Sequence, residues 1–244
     1  MTTDYVSPNL ETPRLDALFP DMIVGPRETV TWPYFRKEVA HTWYVDRRQP
    51  EVGFINRDEA AILYSNARLF SGRRGLEIGA WRGWSSCHLV AAGLGSLHVV
   101  EPLLADPAWR AEFAAAIAGA GGAERAILVP GPSPAEVLRL GESGCRWSFA
   151  FIDGDHDGEA PTADARACAR FLEPAAMILF HDLVSPHVGA GLRALADAGW
   201  NTRLYRTAQM MGVAWRGDIA PVAHTPDPTQ IWRIPEHLAG FALS

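Results

Sequence analysis

The sequence predicts an α/β fold, a mostly parallel sheet with helices on both faces, and three observations predict it. From Arg74 onward, short apolar runs alternate with helix-compatible segments, the order of a parallel sheet covered by helices. The first run leads into Gly75-Leu76-Glu77-Ile78-Gly79-Ala80-Trp81-Arg82-Gly83-Trp84-Ser85-Ser86, which reads as a strand, a tight glycine turn and a helix start. Two later runs end in polar bursts, Asp153-Gly154-Asp155-His156 and His181-Asp182. Ligands of open α/β sheets bind outside such strand ends.

Residues 1 to about 30 carry several prolines and no clear period, so an irregular arm is expected. Helical patterns begin near Trp32-Pro33-Tyr34-Phe35 and again at Asp58-Glu59-Ala60-Ala61-Ile62-Leu63-Tyr64. Strands are expected at residues 75–78, 96–100, 126–129, 149–152 and 177–180. Helices at 85–92, 109–118, 134–140 and 162–172 fall between them. A helix at 188–198 follows, then strands at 201–205 and 212–216, close enough to pair as a hairpin. The expected division is an arm and helical cap (1–57), the sheet domain (58–217) and a tail packed on it (218–244), marked by Pro221, Pro226, Pro228 and Pro235.

Composition excludes several classes. A chain of 244 residues, 48% hydrophobic and 20% charged, can bury a substantial core. A net charge of −6 without a basic run argues against a nucleic-acid partner. The apolar stretches fall short of a membrane span, and Met1-Thr2-Thr3-Asp4-Tyr5 lacks the features of a signal peptide. Cys87, Cys145 and Cys168 are odd in number and scattered, which suggests a reducing compartment with buried thiols. A cytoplasmic enzyme is expected.

The glycine turn says what it holds. A dinucleotide fingerprint needs a second glycine to admit the pyrophosphate, and Trp81 stands there instead. Glu77 would repel a phosphate. A ligand with an amino group, hydroxyls and no phosphate fits better, and S-adenosylmethionine (SAM) is one. The stretch resembles motif I of class I SAM-dependent methyltransferases, E-x-G-x-x-x-G, with Glu77, Gly79 and Gly83 at its fixed positions. The order of elements over roughly 58–217 is similar to that family's architecture. The resemblance implies a Rossmann-like, seven-stranded, mostly parallel sheet whose last strand is antiparallel. It implies that Ala80, Trp81 and Ser85 also meet the cofactor, with Asp153 beside it. Glu101 ends the second strand, 24 residues after Glu77, where a carboxylate can accept from vicinal ribose hydroxyls. Ser133 lies where the family contacts adenine, without the family's usual acidic residue. Trp81 or Trp84 is expected near the sulfonium or adenine.

The two polar bursts put metal-capable side chains on neighbouring strand tips. Carboxylates there suit a hard ion such as Mg²⁺. The pair looks like the metal-dependent O-methyltransferases: the catechol and caffeoyl-CoA enzymes, and especially the macrocin-type sugar O-methyltransferases and cephalosporin-hydroxylase-like proteins of natural-product pathways. The resemblance implies that Asp153, His181 and Asp182 hold a divalent metal, Mg²⁺ or Mn²⁺. His181 departs from the usual Asp or Glu and favours transition ions. His156 stands where the catechol-type enzymes carry a lysine base, and an imidazole pKa of about 6.5 suits the same task. The expected catalytic residues are therefore His156 and Asp153. Asp155 is expected to orient His156 or touch substrate. His187, His224 and His237 are read as structural.

The expected reaction is O-methyl transfer to a small-molecule hydroxyl, on a sugar or a phenol, by a protein able to form a homo-oligomer. Its rivals are a metal-independent SAM methyltransferase and a metal-dependent hydrolase or hydroxylase-like enzyme on the same fold. A non-catalytic SAM-binding protein is a further alternative.

Overall fold

The computed structural model describes residues 4–244. The arm contains three short strands, β1 (Met22–Val24), β2 (Tyr44–Asp46) and β3 (Gln49–Phe54), paired antiparallel in the order β1-β2-β3. This corrects the helical cap expected within 1–57. Residues 32–35 form a turn, with the Phe35 amide donating to the Trp32 carbonyl at 3.1 Å. The arm is rich in aromatic and β-branched residues, which favour pleated pairing over helix. The Arg27 guanidinium also donates to the carbonyls of Arg36, Lys37 and Val39, so these need no helical partners.

The main domain begins with α1 (Arg57–Arg68). Asn56 accepts from the Glu59 amide at 3.0 Å while the Glu59 carboxylate accepts from the Asn56 amide at 3.1 Å, a reciprocal cap. Strands and helices then alternate: β4 (Arg74–Ile78), α2 (Trp84–Ala91), β5 (Ser96–Val100), α3 (Pro107–Gly119), β6 (Ala126–Val129), α4 (Ala135–Glu142), β7 (Trp147–Ile152), α5 (Ala160–Phe171), β8 (Leu172–Phe180) and α6 (Pro186–Asp197). A hairpin of β9 (Asn201–Tyr205) and β10 (Met211–Arg216) ends the domain. The seven-stranded sheet runs β6-β5-β4-β7-β8-β10-β9, and β10 alone opposes its neighbours. Helix α5 stops one residue short of its expected end, because Leu172 already opens β8.

Alternation along the strands divides the core. Phe149 and Phe151 pack with α1, α2 and α3 on one face, through Leu63, Leu89 and Phe113. Ala150 and Ile152 pack with α4, α5 and α6 on the other, through Val137, Ala165 and Leu192. All six residues of β7 are buried, as a central strand covered on both faces requires. The tail returns to the sheet edge: the Leu204 amide donates to Ala242 and the Ser244 amide to Leu204.

Register positions the site. Ile78 pairs with Val100 and with Ile152, and Ile152 pairs with Phe180. The next residue of each strand is Gly79, Glu101, Asp153 and His181. The ladder continues through them, with Gly79 donating to Val100, Asp153 to Ile78 and His181 to Ile152 at 2.9–3.1 Å. Gly79 has φ +77°, and a Cβ there would lie 2.1 Å from the Asp153 carbonyl oxygen. Gly79→Ala should therefore destabilise the fold by at least ~2 kcal/mol in urea unfolding. A loss under ~0.5 kcal/mol would mean that the β4–β7 approach is loose.

Candidate active site

A cavity of about 630 Å³ opens at the carboxyl edge of the sheet, where strand order reverses between β4 and β7. Gly79, Ala80, Trp81, Ser85, Glu101 and Ser133 line it, and so do Asp153, His156, His181 and Asp182. Two expected residues do not. Glu77 is fully buried and turns away, its carboxylate accepting from the Ser86 hydroxyl at the start of α2. Gly83 packs against Phe113, and its φ of +92° turns the chain into α2.

The glycine loop is held from both sides. Glu101 accepts from the Ala80 and Trp81 amides at 3.0 and 3.1 Å, and through its other oxygen from Leu103 at 3.0 Å. The Trp81 carbonyl accepts from the Trp109 indole at 3.0 Å, and the two rings meet edge-on at 5.1 Å. Arg82 lies 3.5 Å over the Trp109 ring and pairs with Asp46 of β2 at 3.0 Å. Trp84 is buried, donating to Ile55 at 3.2 Å. The Ser133 hydroxyl donates to buried Asp164 at 2.9 Å. Burial pushes the Asp164 carboxyl up to about 6, opposed by that hydrogen bond and helped by Asp155.

Opposite the loop, ionisable groups crowd together. Ligand atoms of Asp153, His181 and Asp182 lie within 4.8 Å of one another. His181 Nδ1 is 3.3 Å from Asp153 and 3.1 Å from Asp182. His156 Nε2 stands 3.4 and 3.2 Å from the same two carboxylates. His181 Nε2 is 3.1 Å from Glu59. Burial would lower the His181 pKa, but Asp182, Asp153 and Glu59 outweigh it and raise it well above the ordinary value. Burial likewise opposes ionisation of Asp153 and Glu59, yet the imidazoles beside them hold both carboxyls low. Asp155 is exposed and accepts from Asp157, so it caps its own turn.

Sequence reasoning missed Glu59 and Gln209. The Gln209 amide donates to Glu59 at 3.1 Å, tying the β9–β10 loop to α1 beneath the site. The capping pattern Asn56-x-x-Glu59 is visible in the sequence but was not read there, and no local pattern shows that the same carboxylate reaches His181. Trp32 of the arm also reaches the site, its ring centre 5.8 Å from that of His156. His224 and His237 are structural: His224 pairs with Asp58 at 2.9 Å, and His237 lies 2.8 Å from the Leu183 carbonyl.

Residues 76–183 match the family described as "Methyltransferase domain", a little under half of the chain. No curated protein matches by sequence. Among solved structures, a candidate O-methyltransferase from Klebsiella pneumoniae is 19% identical over 86% of this chain and 92% of its own, with a TM-score of 0.58. The O-methyltransferase TomG of Streptomyces achromogenes, involved in tomaymycin synthesis and solved with SAM, is 20% identical over 67% of this chain and 82% of its own (TM-score 0.55). An O-methyltransferase from Bacillus cereus, solved with S-adenosylhomocysteine, is 15% identical over 67% and 83% (TM-score 0.55). The chain thus shares its fold with these methyltransferases, and residues 76–183 are similar to a methyltransferase domain. Among the described residues no helix is long and apolar enough to cross a membrane.

The burial of Glu77 has a measurable consequence. Desolvation pushes its carboxyl up to about 8, aided by Asp153 and Glu101 and opposed by the Ser85 and Ser86 hydroxyls. The folded pKa exceeds the ordinary value of 4.5, so this group's stabilisation is complete below 4.5 and is lost as pH rises through about 8. Glu77→Gln has no such loss. Its melting temperature relative to the unaltered protein should rise between pH 5 and pH 9. A difference that stays constant would mean that Glu77 is ionised throughout.

Proposed function

We propose that this chain transfers a methyl group from SAM to a hydroxyl of a small molecule, assisted by a divalent ion at the strand edge. One observation carries the reading. A single cavity has a glycine loop and ribose-competent carboxylate along one side, and a cluster of histidines and carboxylates along the other.

Glu101 holds the loop with Oε2, which accepts from both the Ala80 and Trp81 amides, while Oε1 accepts from Leu103 alone and keeps a second lone pair for a ribose hydroxyl. Gly79 and Ala80 bring bare backbone to the cavity, so the cofactor can approach closely. The donor set suits a cation. Asp153, His181 and Asp182 converge, and neither ring nitrogen of buried His181 has a well-formed hydrogen bond. When bound there, the ion would lower the acceptor's pKa and fix neighbouring oxygens. Alignment of oxygen, methyl carbon and sulfur then supplies up to roughly 7–11 kcal/mol. A protein base adds about a hundred- to ten-thousand-fold, and His156 is the imidazole expected for that role. Trp32, Phe35 and Trp43 line the same cavity and suit a flat acceptor, so a catechol-like compound or another vicinal diol is the proposed substrate class.

The test is transfer of labelled methyl from SAM to catechol. Asp153→Ala should lose at least ~1,000-fold in kcat/KM, and His156→Ala less. Near-normal turnover of Asp153→Ala in the presence of chelator would remove the metal from the reading.

A further inference from the structure

We infer that His156 is a fourth ligand of the cation site, which is then a two-histidine, two-carboxylate site built for a transition-metal ion in preference to Mg²⁺. The inference rests on the proposed metal-dependent reading and assigns the ion and the role of His156.

The geometry is a closed ring of donors. Asp153 Oδ1, His181 Nδ1, Asp182 Oδ2 and His156 Nε2 follow one another at 3.3, 3.1, 3.2 and 3.4 Å. In an octahedral set of donors at about 2.1 Å, neighbours lie roughly 3.0 Å apart and opposite donors roughly 4.2 Å. Asp153, His181 and Asp182 already lie within 4.8 Å of one another, and His156, outside that set, closes toward His181 to take the position opposite it. Both imidazoles thus address the same pair of carboxylates from the same distance. His156 comes from the loop after β7 and His181 from the tip of β8, so two adjacent strands supply one carboxylate and one imidazole each.

A second observation, independent of the carboxylates, points to a ligand. His181 is only 6% exposed, and both of its ring nitrogens lack a hydrogen bond of proper geometry although carboxylates surround it. Buried polar atoms are rarely left in that state. Ligation through Nδ1 would satisfy one nitrogen. The proton would then reside on Nε2, which faces Glu59 at 3.1 Å. Glu59 is itself fixed by the Asn56 and Gln209 amides, so it acts as a positioning residue for His181.

Donor chemistry decides the ion. Mg²⁺ takes one or two carboxylates and keeps its waters, whereas imidazole nitrogen suits Fe²⁺, Ni²⁺ and Zn²⁺, with Co²⁺ between Fe²⁺ and Ni²⁺ in affinity. In a six-coordinate ion, four protein donors leave two positions, the number a vicinal pair of acceptor oxygens needs. In this assignment His156 gives up the base role proposed above, and the ion itself lowers the acceptor's pKa.

The test is calorimetric titration of the chelator-treated protein with CoCl₂ and with MgCl₂, with circular dichroism as the check on folding. Co²⁺ should bind at least a hundredfold more tightly than Mg²⁺. His156→Ala should weaken Co²⁺ binding at least tenfold while the fold is retained. Glu59→Gln, which keeps the helix cap, should weaken it 10- to 100-fold. Tight Co²⁺ binding that His156→Ala leaves unchanged would overturn the fourth ligand and leave the metal-dependent reading standing. Equal affinity for Mg²⁺ would overturn the transition-ion preference alone. Absence of binding by either ion would overturn this inference and the metal-dependent reading together.

Discussion

Four parallel strands that end in register are the constraint on which the site depends. Ile78, Val100, Ile152 and Phe180 form one row across the sheet, and the next residue of each strand carries the chemistry. The backbone ladder runs one step past that row, so Gly79, Asp153 and His181 are placed by main-chain hydrogen bonds and not by flexible loops. Each such bond contributes only about 0.5–1.5 kcal/mol net, yet together they allow little play between the tips. The absent Cβ of Gly79 lets the loop lie against the Asp153 carbonyl, so the glycine loop and the ionisable cluster share one wall.

The cluster itself is a balance of charge in a poorly solvated place. Glu59, Asp153 and Asp182 face His156 and His181, and neither set would tolerate burial without the other. Backbone strain gathers at the same edge. Among the described residues, the non-glycine positions with positive φ are Trp81, Asp182 and Met210, at +46°, +55° and +59°. Trp81 and Asp182 line the cavity, and Met210 follows Gln209, which also does. Conformations of this kind cost of order 1–3 kcal/mol and persist where the surrounding packing imposes them. Here that packing is visible: Trp109 and Arg82 pin Trp81, and the Leu183 amide donates to the Met210 carbonyl beside Asp182.

The strand–helix alternation was legible because the strands are apolar runs bounded by glycine and polar tips. The placement of Glu101, Asp153, His181 and Asp182 followed from strand ends alone. Glu77 was not legible in the same way. A motif match cannot tell a cavity-facing carboxylate from one on the strand's other face, where Glu77 meets Ser86. The arm misled because its aromatic residues fit a helix pattern as well as a strand pattern, and only pairing between Tyr44–Asp46 and its neighbours decides. The approach of His156 to Asp182 and the reach of Glu59 to His181 are contacts between segments far apart in sequence. Local pattern carries no information about them.

The central claim is that the glycine loop and Glu101 form a SAM site. Calorimetric titration of the protein with S-adenosylhomocysteine, in metal-chelating buffer, tests it most directly. The account predicts one-to-one binding that persists without metal, because the cofactor side of the cavity is built by Gly79, Ala80 and Glu101. Absence of heat up to millimolar ligand would contradict it.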